Sequence, residues 1–324
     1  MLSRVAESLY WMARYVERAE LVSRLLHVNF HTLLDADQPD RGDAWQRLLL
    51  LGGNDLVFRE HFDEYTAQAV TEFLLWRPEN PDAVVACVAR ARDNARGVRD
   101  QITSEMWEEL NRLHLLLVTT RPVGHTRAQH ELFVRVRDGS HGLQGLIRST
   151  LPRGEAYEFL ELGAHIERAD FTARLLAVEH PFLTGLPPDS REETVRLTAL
   201  LKSCGAFEAF RKAERSALRA PRVLEYLLLD PACPRTVLFC LNACLRSLRA
   251  IPGSSDRPQR AIGRLASQLS FLEISELHGR QLAPLLARIL RGIDGAGDEI
   301  ASTYFTTRVL VPGAYAQAQA QQQQ

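Results

Sequence analysis

Lysine is almost missing from this chain. Lys202 and Lys212 are the only two, and arginine makes up the rest of the 39 basic residues. That bias supplies fixed charges suited to bidentate pairing and points to no function by itself. Net charge is missing too: 39 basic against 40 acidic residues leave −1, so no global field draws the chain to nucleic acid or anionic lipid. No run approaches the ~18 uninterrupted apolar residues of a membrane-spanning helix. Arg4, Glu7, Arg14, Glu17 and Arg18 break up any signal-peptide core, so a cytoplasmic protein is expected. The five cysteines form a sparse, odd set without a CxxC. Cys240 and Cys244, four apart, could meet a soft metal, but reduced core thiols are expected. No GxSxG elbow, GxxxxGKS/T loop or GxGxxG fingerprint occurs. The missing nucleotide loop argues against activation of a substrate by ATP on this chain.

What is abundant is leucine and alanine recurring at threes and fours, which predicts an all-α fold. Helices are expected near 3–34, 43–60, 65–76, 81–119 and 126–137, then near 154–180, 190–213, 221–229, 234–250, 258–279 and 281–305. Asp43 with Gln46, and Ser190 with Glu193, are spaced like capping boxes. Pro81 and Pro234 are placed where a first-turn proline costs nothing. Breakers are read at 35–42, 78–81, 138–142, 185–189 and 252–258. The Gln-rich tail, 311–324, is expected to be disordered.

Sliding the chain along itself exposes a repeat. SLYWMARYVERAELVSRLLHV (8–28) lies over EFLELGAHIERADFTARLLAV (158–178) at a shift of 150. Glu17, Arg18, Ala19, Arg24, Leu25 and Leu26 return as Glu167, Arg168, Ala169, Arg174, Leu175 and Leu176, with Glu20 returning as Asp170. Two more blocks follow in order, matching Gly53 to Gly205 and Cys87 to Cys240. The expectation is a tandem duplication, a first helical repeat over 1–150 and a second over 151–310, packed as a pseudo-twofold bundle.

On a helical wheel Leu9, Ala13, Val16, Glu17, Glu20, Arg24 and His27 fall within about 100° of one another. Trp11, Val22, Leu25 and Leu26 make the other side apolar. A charged stripe, Glu17–Glu20–Arg24 and its copy Glu167–Asp170–Arg174, therefore lies inside helices that should be buried. Arg18 and Arg168 point about 100° away from their glutamates and need other partners. A buried ion-pair network is one reading: Glu20 before Arg24 and Asp170 before Arg174 have the favourable i, i+4 order. A polar cleft is the other, its arginines receiving a carboxylate or phosphate and its acids an amine or a partner's arginine. A di-metal carboxylate site is disfavoured, because neither copy has a Glu-x-x-His pair and two arginines share the stripe. No metal or cofactor is expected. His27 and His31 share a helix face at a metal-compatible spacing, but with no third ligand in view, packing is the expected role. Arg90, Arg92, Arg96 and Arg99 read as a solvated face.

SRVAESLYWMARYVERAE at the N-terminus, SEMWEELN at 104–111 and EAYEFLELGAHIERADFTARLL at 155–176 resemble the Alpha-E family, a bacterial all-helical family named for a Glu-Arg motif. That motif maps to Glu17–Arg18 and Glu167–Arg168. The resemblance implies genetic association with a circularly permuted ATP-grasp protein and a transglutaminase-like peptidase, and so a setting of amide- or peptide-bond metabolism. It carries over no catalytic residue. The first functional expectation is a non-catalytic accessory subunit recognising the ligase or its peptide substrate through Glu17, Arg18, Glu20, Arg24, Glu167, Arg168, Asp170 and Arg174. The alternatives are an enzyme with Glu17 and Glu167 as acid/base groups, and a scaffold whose stripe only fixes docking of the halves.

Overall fold

The computed structural model describes residues 1–35, 42–120, 126–214, 217–272 and 281–305. Among them are fourteen α-helices and no strand. In chain order these are α1 (Ser3–Asp35), α2 (Gly42–Gly52), α3 (Asp55–Arg59), α4 (Ala67–Leu75), α5 (Val84–Gly97), α6 (Ser104–Thr119) and α7 (Thr126–Thr150). There follow α8 (Glu155–Leu183), α9 (Arg191–Ser203), α10 (Phe207–Ala213), α11 (Ala220–Leu229), α12 (Val237–Ala250), α13 (Arg257–Ser270) and α14 (Leu282–Ile300), which runs on into a π-helical turn at Ala301–Phe305. None of these helices is long and apolar enough to cross a membrane. The Gln-rich tail lies outside the described residues.

The two long helices carry the fold. α1 contains neither glycine nor proline, which lets it run unbroken for about 50 Å. α8 is buried on nearly every side, sixteen of its residues in all, among them Phe159, Leu162, Ile166, Leu175 and Leu176 but also Glu167 and Arg168. α1 packs on α8, α5 and α7, and α8 packs on α12 and α14. Outside this pair, Trp45, Phe58, Phe73, Phe133 and Phe210 are fully buried anchors.

Several boundaries differ from the sequence expectation. The stretch 81–119 is two helices, because α5 ends at Gly97 and Thr103 caps a new start by accepting the Met106 amide at 3.4 Å. The stretches 43–60 and 190–213 also break, at Gly53 (φ 68°) and Gly205 (φ 65°), left-handed positions that glycine occupies without a Cβ clash. The expected breaker at 138–142 lies inside α7. Its glycines are packing devices: a Cβ on Gly139 would stand 3.2 Å from Leu113, so their smallness lets α6 and α7 approach. Ser190 does cap, accepting the Glu193 amide at 3.1 Å, but the Glu193 carboxylate reaches back to Asp189 N rather than to Ser190. Gln46 forms no box; its amide points to Asp55 and Tyr65. Pro81 and Pro234 sit in the turns ahead of α5 and α12 rather than in their first turns.

Candidate functional site

The site is set by a close crossing of α1 and α8. Gly163 faces Ala13, and a Cβ on Gly163 would lie 2.3 Å from the Tyr10 carbonyl oxygen. Only glycine permits this approach. One turn further along, the two Glu-Arg pairs come opposite each other and exchange partners. Arg18 donates from Nε to Glu167 Oε1 at 2.6 Å and from Nη2 to Oε2 at 3.1 Å. Arg168 donates in return from Nε to Glu17 Oε2 at 2.9 Å, with Nη2 on the other oxygen. The partners that the wheel left Arg18 and Arg168 lacking are thus each other's glutamates.

Further groups complete the shell. Arg14 Nε reaches Glu167 Oε2 at 2.7 Å, and Arg18 Nη1 reaches Asp82 at 2.5 Å. Gln144 on α7 bridges Glu17 and Arg168, accepting from the latter at 2.8 Å. Glu20 is held by Arg24 at 2.8 Å, as the i, i+4 spacing predicted, and by Arg235 at 3.2 Å, with His141 Nε2 3.4 Å away. Asp170 accepts from Arg174 Nε at 2.7 Å, and Arg174 continues to Asp294 at 3.5 Å. All eight stripe and motif residues therefore join one region. Sequence reasoning missed Arg14 on α1 itself, and Asp82, His141, Gln144, Arg235 and Asp294, which come from elsewhere in the chain. Arg14 alone carried a signal, one turn before Arg18.

Six guanidinium groups (Arg14, Arg18, Arg24, Arg168, Arg174, Arg235) meet six carboxylates (Glu17, Glu20, Asp82, Glu167, Asp170, Asp294). The contacts fall into three groups: Arg14 and Arg18 on Glu167 and Asp82, Arg24, Arg168 and Arg235 on Glu17 and Glu20, and Arg174 between Asp170 and Asp294. Glu17, Glu20, Glu167 and Arg168 are all buried. Burial alone would raise the Glu167 carboxyl, but Arg14 and then Arg18 outweigh it and hold it at about 2. Burial likewise opposes ionisation of Glu20, and Arg235 foremost pulls it well below the usual range. Glu20 and Glu167 are thus pinned as carboxylates, and Glu17 and Glu167 are saturated by donors. A group so fixed is a poor general acid or base at neutral pH, so the geometry favours a lock over an acid/base pair.

A pH prediction follows from the depressed value. Glu167 titrates near 4.5 when exposed and about 2 in the fold. Between those values the unfolded chain binds the extra proton, so stability falls as pH drops. Melting temperature followed from pH 6 to pH 2 is expected to decline below about 4.5, and more shallowly in Glu167→Gln. Equal slopes would show that Glu167 is not the titrating group.

Asp170 behaves differently. Its carboxyl is pushed up by burial, which the Arg174 guanidinium only partly opposes, and its Oδ1 is buried without a hydrogen-bond partner. It lines two cavities. One, of about 440 Å³, lies between α1, α8 and α14 and is lined by Tyr10, Trp11 and Phe305, by the acids Glu7, Asp294 and Asp298, and by Arg14, whose guanidinium lies 4.7 Å from the Trp11 ring centroid. The other, of about 250 Å³, is flanked by Arg14, Arg18 and Arg174. The five cysteines are free and buried, with the Cys87, Cys204 and Cys240 thiols pushed up to about 12 by burial. They are inert core thiols.

The chain is similar to an uncharacterized protein of Mycobacterium bovis and to one of Mycobacterium tuberculosis strain CDC 1551, 25% identical to each across 96% of its length. A third, from Mycobacterium tuberculosis strain H37Rv, is 24% identical over the same share. The chain spans 37% of the length of these relatives. No solved structure matches it. A family model described as a predicted alpha-helical domain with a conserved ER motif matches residues 1–305, and the chain belongs to this family, Alpha-E.

Proposed function

We propose that this protein is a non-catalytic accessory subunit of an amide- or peptide-ligating system, acting in the cytoplasm with an ATP-grasp ligase and a transglutaminase-like peptidase as its partners. The observation that carries the reading is Asp170: a half-buried carboxyl group whose Oδ1 is buried and unpartnered, on a cavity of about 440 Å³ lined by three aromatic rings, Arg14 and the acids Glu7, Asp294 and Asp298. A buried acceptor without a donor is costly; Arg14 already covers the Tyr10 and Trp11 rings, and an amine or guanidinium group drawn in by Glu7, Asp294 and Asp298 would supply the donor. The ligand class is therefore the cationic end of a peptide, from the substrate or the ligase. The crossed Glu-Arg pairs hold the cavity's two main walls, α1 and α8, in register. The relatives, in which the matched region is 37% of a longer chain, are consistent with a module that works beside other domains.

The same reading takes residues 1–150 and 151–310 as duplicated halves related by a pseudo-twofold axis. Its support is the exchange of partners between Glu17–Arg18 and Glu167–Arg168, the crossing at Ala13 and Gly163, which are themselves 150 apart, and the paired left-handed Gly53 and Gly205.

The test is a tagged pull-down from the native host, run in parallel with the wild type and Asp170→Asn. Recovery of an ATP-grasp protein at near-equal stoichiometry, falling at least about tenfold with Asp170→Asn, is the expected result. Recovery of the wild-type chain alone would overturn the accessory reading. Recovery undiminished in the variant would remove the Asp170 cavity from it.

A further inference from the structure

The far end of α1 holds a cluster that the Glu-Arg network does not use. His27 and His31 stand one turn apart on one face of α1, and α7 brings His130 against both. Ring centroids are 4.8 Å apart for His27–His31, 4.4 Å for His27–His130 and 4.8 Å for His31–His130. One ring nitrogen from each can be chosen so that all three lie within 4.8 Å of one another. Among the described residues none of the three rings has a hydrogen-bond partner.

Three polar rings converge edge to face at a half-buried position with no protein group among the described residues holding any of their nitrogens, which leaves those nitrogens free to ligate. Burial first, then the fields of His130 and His31, pull the His27 imidazole down to about 4. Burial likewise lowers His130, with His31 and Arg137 adding to it and Glu131 opposing. Neutral imidazole is the form that ligates a metal. The two nearby cations are already compensated, Arg24 by Glu20 and Arg137 by Asp138.

We propose that His27, His31 and His130 form a binding site for a borderline divalent transition metal of the zinc class. Three imidazole nitrogens suit zinc, copper or nickel rather than calcium or magnesium, which take oxygen ligands. Tetrahedral zinc with bonds of ~2.0–2.1 Å needs nitrogens about 3.3 Å apart, so the rings have to draw together by up to about 1.5 Å from a spacing within 4.8 Å. His31 is exposed and the other two are half-buried, which leaves room for the motion and an open fourth position for water. The sequence offered two of the three ligands; the third lies 99 positions beyond His31 and only the α1–α7 packing reveals it. The site is independent of the Asp170 cavity.

The test uses the full chain, stripped with chelator and titrated with Zn²⁺ against a chromophoric competitor. One equivalent bound by the wild type, weakened at least tenfold in both His31→Asn and His130→Gln, is the expected result. The exposed His31 can be replaced without disturbing the core, and circular dichroism confirms that both variants are folded. Zinc should also raise the melting temperature of the wild type and leave His31→Asn unmoved. Co²⁺ should give the intense visible absorption of tetrahedral coordination in the wild type only. Failure of the wild type to bind zinc at micromolar concentration would overturn the proposal, and so would binding unchanged in the two variants, which would place the metal elsewhere.

Discussion

Glu167→Gln is expected to lower the unfolding free energy by about 3–5 kcal/mol, the range for breaking one partner out of a buried ion pair. The substitution keeps the shape of the side chain and removes only its charge. It leaves Arg14 and Arg18, whose side chains are 17% and 22% exposed, without the carboxylate that both share. A glutamine offers one acceptor oxygen where two guanidinium groups now use both. The exposed pair Asp256–Arg260, with side chains 61% and 71% exposed, is the control: Asp256→Asn should cost less than about 1 kcal/mol. Urea midpoints at constant m-value compare the two. A cost for Glu167→Gln no larger than that of Asp256→Asn would mean that the crossed pairs do not lock the helices.

Gly163→Ala should be almost as damaging, although it adds one methyl group. The new Cβ would meet the Tyr10 carbonyl at 2.3 Å and Ala13 Cβ at 3.3 Å. A backbone carbonyl in a helix cannot rotate away, so α1 and α8 must separate. Overpacking of this kind costs about 1–3 kcal/mol, and the separation also stretches the guanidinium bonds one turn along, so the loss should reach about 3 kcal/mol or more. Gly145→Ala gives the opposite sign. Gly145 lies inside α7 with no atom near its Cβ position, so alanine should stabilise by about 0.5–1 kcal/mol through helix propensity. Thermal melts of the two variants beside the wild type decide the matter. Equal effects at the two glycines would contradict the close crossing.

Much of this architecture was legible in the residues. The 3.6-residue period gave the helical class, and the two Glu-Arg segments marked α1 and α8 as the helices that matter. The i, i+4 pairs Glu20–Arg24 and Asp170–Arg174 were readable because both partners lie on one helix, where spacing fixes contact. The partners of Arg18 and Arg168 were not, since they lie 149 and 151 positions away and their distance is set by packing. Gly139 and Gly163 misled or passed unnoticed for the same reason: a glycine reads as a breaker until its neighbour across the interface is known. Arg235, Asp82 and His130 carry no local pattern. Each matters only because another helix arrives beside it.

The crossed exchange also orders the birth of the protein. Glu17 and Arg18 leave the ribosome about 150 residues before the Glu-Arg pair that satisfies them, and about 220 residues before Arg235 closes over Glu20. At ~5–20 residues per second the wait for the second Glu-Arg pair is roughly 8–30 s, during which α1 cannot bury its charged stripe without stranding it. The amino-terminal half is therefore held short of its final packing until α8 emerges, and the nascent chain completes its centre last.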